Sequence, residues 1–443
     1  MLPVHERSPG VIQHQKATRV RYWVIVFAVT LAVVTYIDRV SISFAAPFIS
    51  SDLGLDKRQM GAIFAAFGWA YALFEIPGGY LGDRMGPRSV LTRIVLWWSF
   101  FTAATGWAWN FVSLAVTRFL FGAGEAGCFP NVTKAFTTWL PENERVRAQG
   151  YLWLSARWGG AFTPLLVAVV MRQVGWRHSF ELFGVLGAIW AIAFYRWYRN
   201  NPLENPNLNA AEREIVRESA ANAGKHGDVP WAKFLASRQV WMICLQYFCL
   251  SYGWYFYITW FPTYLAEARH LDVTKVAFFS IAPLFMGGLG NPASVWIANR
   301  LAPSIGNMAQ TRRIMAYIGF TGASLFLVLS TRMNDPLMAT LAIGLASFSN
   351  DLVMPGAWAA CMDVGAKHAG SLSGTMNKTG NIAGAIAPQM IGFILFWTHN
   401  NWNLTFYLSA AIYLLGIVCW MFLDPITPLE AHSRQHDPNL IAK

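Results

Sequence analysis

The chain has 443 residues, 55% of them hydrophobic and only 13% charged, with a formal net charge of +11. A soluble domain carries about 25% charged residues, so this composition excludes an ordinary water-soluble fold and implies an all-α, multi-pass membrane protein. Nor does the basic excess imply a nucleic-acid partner, because the basic residues sit where a membrane topology would put them.

Taken in chain order, residues 1–21 form a polar, basic tail without a signal-peptide cleavage site, so the first span is expected to be retained. Apolar runs of about 20 residues, the length of a bilayer-crossing helix, then recur. They lie at 22–48, 60–81, 89–109, 113–136, 147–171 and 178–199, then at 239–267, 274–299, 313–332, 336–361, 370–396 and 402–423. Twelve transmembrane helices are therefore expected. The runs alternate too rarely to be outer-membrane strands. A polar stretch divides them into six and six. It opens with Pro202 and Pro206, and Asn209 could cap a short charged helix from Ala210 to Ser219. The expected layout is a bundle over 22–199, a linker over 200–237, a second bundle over 238–424 and a tail over 425–443. Lys and Arg gather in the N-terminal tail, at Arg84 and Arg88, at Arg145 and Arg147, around the linker and at Arg300, Arg312 and Arg313. That bias puts both termini in the cytoplasm. The five cysteines fall inside spans without metal-binding spacing and read as packing residues, so no metal or other cofactor is expected.

Charges inside spans are functional candidates, since each costs roughly 2.5–3.5 kcal/mol at a helix centre on insertion scales. The first span holds Asp38-Arg39. Adjacent helical residues project about 100° apart, so these two do not simply pair with each other. Glu75, in the second span, is grouped with Arg93 and Lys134 in a structural network near the inner surface. Arg118 and Glu125 are two turns apart on one face, with Gly122, Gly124 and Gly127 leaving little bulk between helices. Arg157 in the fifth span is read as an anion anchor, because its fork matches a carboxylate; a counter-ion for Asp351 is the rival reading. Asp351 lies in a polar, proline-broken stretch and serves either a gate or a substrate. Lys378 either snorkels or pairs with Asp351. Tyr36 and Tyr71 could hydrogen-bond a substrate, and Tyr252, Trp254 and Tyr255 could wall its site.

After the second span, Gly79, Asp83-Arg84, Met85, Gly86, Pro87 and Arg88 resemble the loop signature of the major facilitator superfamily, whose charges can hold two halves in one state. Within that superfamily, "TYIDRVSIS", "RFLFGAGEAGCFPN", "YITWFPTYL" and "SLSGTMNKTGNIAG" resemble the anion:cation symporter family. That family includes bacterial galactonate, glucarate and hexuronate carriers and is related to sialin and the vesicular glutamate transporters. The resemblance implies a fold of two six-helix halves. It implies proton coupling at Asp38 and Glu125, with Arg118 tuning Glu125. It implies substrate contacts at Arg39 and Asn377. Arg157 departs from the neutral residue of galactonate carriers and could mark a substrate with two acidic groups.

The function expected is proton-coupled import of a small organic anion, a hexonate, hexarate or hexuronate, across a bacterial inner membrane, by a protein acting as a monomer. Alternatives are import of an aromatic or simple dicarboxylic acid, drug efflux, and a transporter-like sensor. Enzyme activity is not expected, since no nucleophile–base or metal-ligand spacing occurs.

Overall fold

A computed structural model describes residues 16–222, 236–365 and 369–429, and within these ranges every regular element is a helix. The first helix, α1 (Trp23–Leu53), is preceded by a 3-10 turn, Val20–Tyr22, and stops at Gly54, where φ is 65°. Next, α2 (Lys57–Met85) opens on a reciprocal cap. Asp56 accepts from the Gln59 backbone at 2.7 Å, and Gln59 accepts from the Asp56 backbone at 3.0 Å. It is followed by α3 (Pro87–Thr105), and then by α4 (Phe111–Glu125) and α5 (Cys128–Trp139), two pieces of one pass broken at Ala126–Gly127.

The longest helical run, α6 (Glu142–Trp197), is two legs joined at Gly175, whose φ of 74° and ψ of 171° suit glycine alone. Its contacts along α1 show the reversal. Near the start of α1, Glu144 pairs with Arg21, and Trp197 stacks on Phe27 with ring centroids 5.1 Å apart. At the far end, Arg177 lies 2.9 Å from Asp52. One residue therefore replaces a loop.

A short helix in the linker, α7 (Ala210–Asn222), starts as expected, with Asn209 accepting from the Glu212 backbone at 2.9 Å. The second set comprises α8 (Arg238–Thr259), α9 (Phe261–Glu267), α10 (Val273–Phe279), α11 (Ile281–Ile305), α12 (Met308–Ser330), α13 (Pro336–Gly365), α14 (Ala369–Trp397) and α15 (Trp402–Phe422). Among the described residues, joining α4 to α5, α8 to α9 and α10 to α11, and dividing α6 at Gly175, leaves the twelve passes expected from the sequence. Among the described residues, nine stretches are long and apolar enough to span a bilayer, and one of them, Arg147–Trp197, contains both legs of α6. Pro87–Thr105 and the Tyr- and Trp-rich Arg238–Thr259 fall outside those nine.

Helices α1 to α6 pack chiefly on one another, as do α8 to α15; the main crossings between the sets are α2 on α14 and α6 on α11. On α2, a Cβ at Gly68 would lie 2.6 Å from the Ala385 nitrogen, so only glycine permits this approach. Lys57 pairs with Glu267, and Arg172 donates to Thr274, at the end of the bundle remote from the linker. The other described side-chain hydrogen bonds between the sets lie mid-helix: Arg157 to Asp351, and Asn377 and Asn381 to Glu75.

The described contacts of the Gly79–Arg88 stretch are to the first set and to Asn200. Gly86 makes the turn with φ of 78°, and Arg88 donates to the Tyr195 carbonyl at 2.9 and 3.0 Å, within the first set. Arg84 lies over the Tyr80 ring and Gly79 packs near Pro130. The Asp83 side chain is outside what the structure describes.

Candidate functional site

Mid-helix, α1 presents Tyr36 and Arg39 on one face, three residues apart. The Arg39 guanidinium sits among four aromatic rings, with centroids at 4.9 Å (Tyr71), 5.2 Å (Phe67), 5.5 Å (Tyr36) and 5.7 Å (Phe129). Its Nε donates to Glu125, the last residue of α4, where the break brings the carboxylate inward. Asp38 turns the other way. It is fully buried beside Trp98 and Thr102 of α3, and neither of its oxygens accepts a hydrogen bond of good geometry. Adjacent Asp38 and Arg39 therefore serve different faces, as helical geometry requires.

Arg118 makes no hydrogen bond or ion pair with Glu125, so the two do not form a static pair; the tuning role expected of Arg118 does not require one. Its guanidinium lies 4.1 Å from the Phe121 ring centroid, one turn along its own helix, and it is hydrogen-bonded to neither Asp38 nor Glu125. The partner of Glu125 comes instead from α1, 86 positions away.

Arg157 and Asp351 form the second buried pair. One guanidinium nitrogen lies 3.0 Å from both Asp351 oxygens, and the guanidinium carbon lies 3.5 Å from the Trp254 ring centroid. Asp351 also accepts from Asn350 at 3.0 Å and Asn291 at 3.3 Å. Arg157 thus has the counter-ion that was its rival reading.

Glu75 makes the third arrangement and overturns its assignment to a network with Arg93 and Lys134. Its two oxygens accept from Asn377 and, at 3.0 Å, from Asn381. Tyr255 in turn donates to Asn381 at 2.9 Å. Lys134 instead donates to the Gly82 carbonyl, and Arg93 is on the exposed side near Met85. Lys378 is half-buried and does not pair with Asp351, which is taken by Arg157. Asn381, Asn291 and Phe129 were not singled out from the sequence. Only Asn381 carried a signal, standing one turn after Asn377 on the same face. Tyr252 is buried without a hydrogen bond for its hydroxyl, in the same cluster as Tyr36, Tyr71 and Tyr255.

Arg39, Arg157 and Asn377 are each held by a carboxylate of the protein. Charge on these carboxylates therefore competes with any external anion for the same donors.

Comparison with known proteins identifies the family. The family model described as Major Facilitator Superfamily matches residues 28–388. The chain is 32% identical to a "Probable sulfoacetate transporter" of Cupriavidus necator, over 90% of this chain and 92% of that protein. It is 31% identical to a "Probable galactarate/D-glucarate transporter" of Escherichia coli, over 86% and 88%. It is 28% identical to the "Hexuronate transporter" of Bacillus subtilis, over 94% and 97%. In solved structures, a bacterial homologue of the human lysosomal transporter Spinster, inward-facing and unoccupied, superposes with a TM-score of 0.74 at 16% identity, over 91% of this chain and 97% of that one. The chain is a multi-pass membrane transporter that belongs to the Major Facilitator Superfamily, and its relatives agree with the anion:cation symporter family within it.

Proposed function

We propose that the protein imports a small sugar acid together with protons, with two six-helix halves, over 22–199 and 238–424, rocking about the buried charges. Both termini face the cytoplasm in this reading, so the end carrying Lys57 and Glu267 faces outward. The observation that carries it is the engagement of Arg39 by Glu125. An acid group on the substrate takes the Arg39 fork in place of Glu125. The displaced carboxylate, buried and without its cation, is then favoured to hold a proton. Reforming the pair on the inner side releases both proton and anion. Asp38, buried beside Arg118, is the second proton carrier, and Tyr36, Tyr71 and Tyr255 meet the substrate hydroxyls. Charge balance makes co-transport favourable, because a buried anion without a proton leaves uncompensated charge in a low-dielectric site.

The test is uptake by purified protein in liposomes, over galactonate, glucuronate, glucarate and sulfoacetate, with and without an inward proton gradient. Glu125→Gln or Asp38→Asn is expected to reduce gradient-driven accumulation to background while exchange of internal for external anion persists. Accumulation that ignores the gradient removes the proton coupling, and wild-type accumulation in either variant removes that residue from the role.

A further inference from the structure

We propose that Glu75 is a specificity residue, selecting an anion with one acidic end and a hydroxyl-bearing remainder over one acidic at both ends. The assignment rests on the organic-anion reading above and names the substrate class within it. Glu75 stands one turn after Tyr71 on α2, so the two share a face, and the Tyr71 ring is 4.9 Å from the Arg39 guanidinium carbon. The carboxylate is thus a neighbour of the fork that takes the acid group. It is buried, and each of its oxygens accepts one side-chain amide, from Asn377 and Asn381. A carboxylate offers about four acceptor positions, so positions remain for donors from a substrate.

Hydroxyls can supply those donors. A second ionised acid group cannot donate, and it adds like charge where water is scarce. The nearby arginines do not offset that charge, since in the loaded site Arg39 is taken by the first acid group of the substrate and Arg157 is engaged by Asp351. Lys378 neighbours Asn377 on α14, but no described hydrogen bond or ion pair joins it to Glu75. A carboxylate that faces the second acid group is a means of rejection rather than attraction, and the suggestion that Arg157 marks a two-acid substrate falls away because Asp351 already occupies that guanidinium.

The experiment is competitive uptake of equimolar galactonate and glucarate by the full-length protein in liposomes. Wild type is expected to prefer galactonate. Glu75→Gln should lower that preference by about tenfold or more, because like-charge juxtaposition is the larger cost. Glu75→Asp, which keeps the charge, should retain the preference, a rescue that a purely structural Glu75 would not show. An unchanged ratio in Glu75→Gln, or a wild-type preference for glucarate, overturns the proposal. Should Glu75→Gln fail to fold, the ligand is altered instead: glucarate monoamide should compete with galactonate about tenfold better than glucarate does, and equal competition overturns the proposal. Wild-type protein that takes up no acid overturns the transport reading itself, and the assignment with it, and is told apart by the silence of the unmutated protein.

Discussion

Arg157 shows how a single buried charge depends on its partner. Its side chain is 9% exposed and that of Asp351 is fully buried, so neither can turn to water when the other is removed. Breaking such a pair from one side costs about 3–5 kcal/mol, whereas replacing both members with apolar residues of similar volume is often neutral. Asp351→Leu alone should therefore lower the thermal unfolding temperature in detergent sharply, and Arg157→Met with Asp351→Leu should recover most of the loss. A double variant no more stable than the single one would mean that the ion pair is not the cause. The candidate residues were legible because charges inside apolar runs are costly and conspicuous. Their partners were not. Arg118 and Glu125 share a helix face, but the contact made is between α1 and α4, and Glu75 meets Asn377 across 302 positions of chain. Local periodicity says which face a side chain occupies and nothing about which helix faces it.

At the scale of elements, two devices can be separated by experiment. The linker helix α7 is fastened to the first set by Glu212. This fully buried residue accepts from the backbones of Val20 at 3.1 Å and Arg21 at 3.0 Å, from the Arg21 guanidinium at 3.1 Å, and from the Thr18 hydroxyl. Glu212→Ala strands those donors and should make the linker cleavable by trypsin at low protease concentration while the bundles resist; equal resistance would show that α7 is held by something else. Beside it, Arg21 and Tyr22 both donate to Glu144, and the Arg21 hydrogen bond above all holds that carboxyl below the ordinary glutamate range. A lowered value adds stability above the unfolded pKa of about 4.3 and loses it as pH falls through the folded value. The stability gap between wild type and Glu144→Gln should thus be constant near neutrality and close on acidification. A gap that widens in acid would reverse the assignment. The helices themselves were readable from apolar length, and the Asn209 cap from its residue type. The division near Gly175 was readable as the gap between two runs, but the break at Ala126–Gly127 within one pass was not, because it depends on backbone angles that the surrounding packing imposes.

For the molecule as a whole, the sets meet at one end and mid-helix. Gly68 governs the approach of α2 to α14, since a Cβ there would press on the Ala385 backbone. Gly68→Val should hold this end apart: spin labels at Arg58 and His399, both exposed, should show a longer distance, and uptake should cease. An unchanged distance would mean that the crossing adapts. Lys57→Ala is a milder intervention. Pairs of this partly exposed kind contribute about 0–1 kcal/mol, so the closed population should fall by no more than about fivefold, with uptake retained. A larger change would assign the Lys57–Glu267 contact a role beyond that of a rim ion pair. The overall layout was legible in the six-and-six pattern of apolar runs, whereas which end is sealed depends on tertiary contacts that no single run contains.

Each of the pairings Arg39–Glu125 and Arg157–Asp351 is neutral in itself. A carrier whose cations are internally balanced needs no cargo to cross back. On the proposed cycle this separates a concentrating pump from an obligate exchanger: the unloaded return leg is electrically silent at these pairs, so accumulation does not wait for a counter-anion inside. Removing either carboxylate would leave a bare cation on that leg and convert the protein from net uptake to swapping.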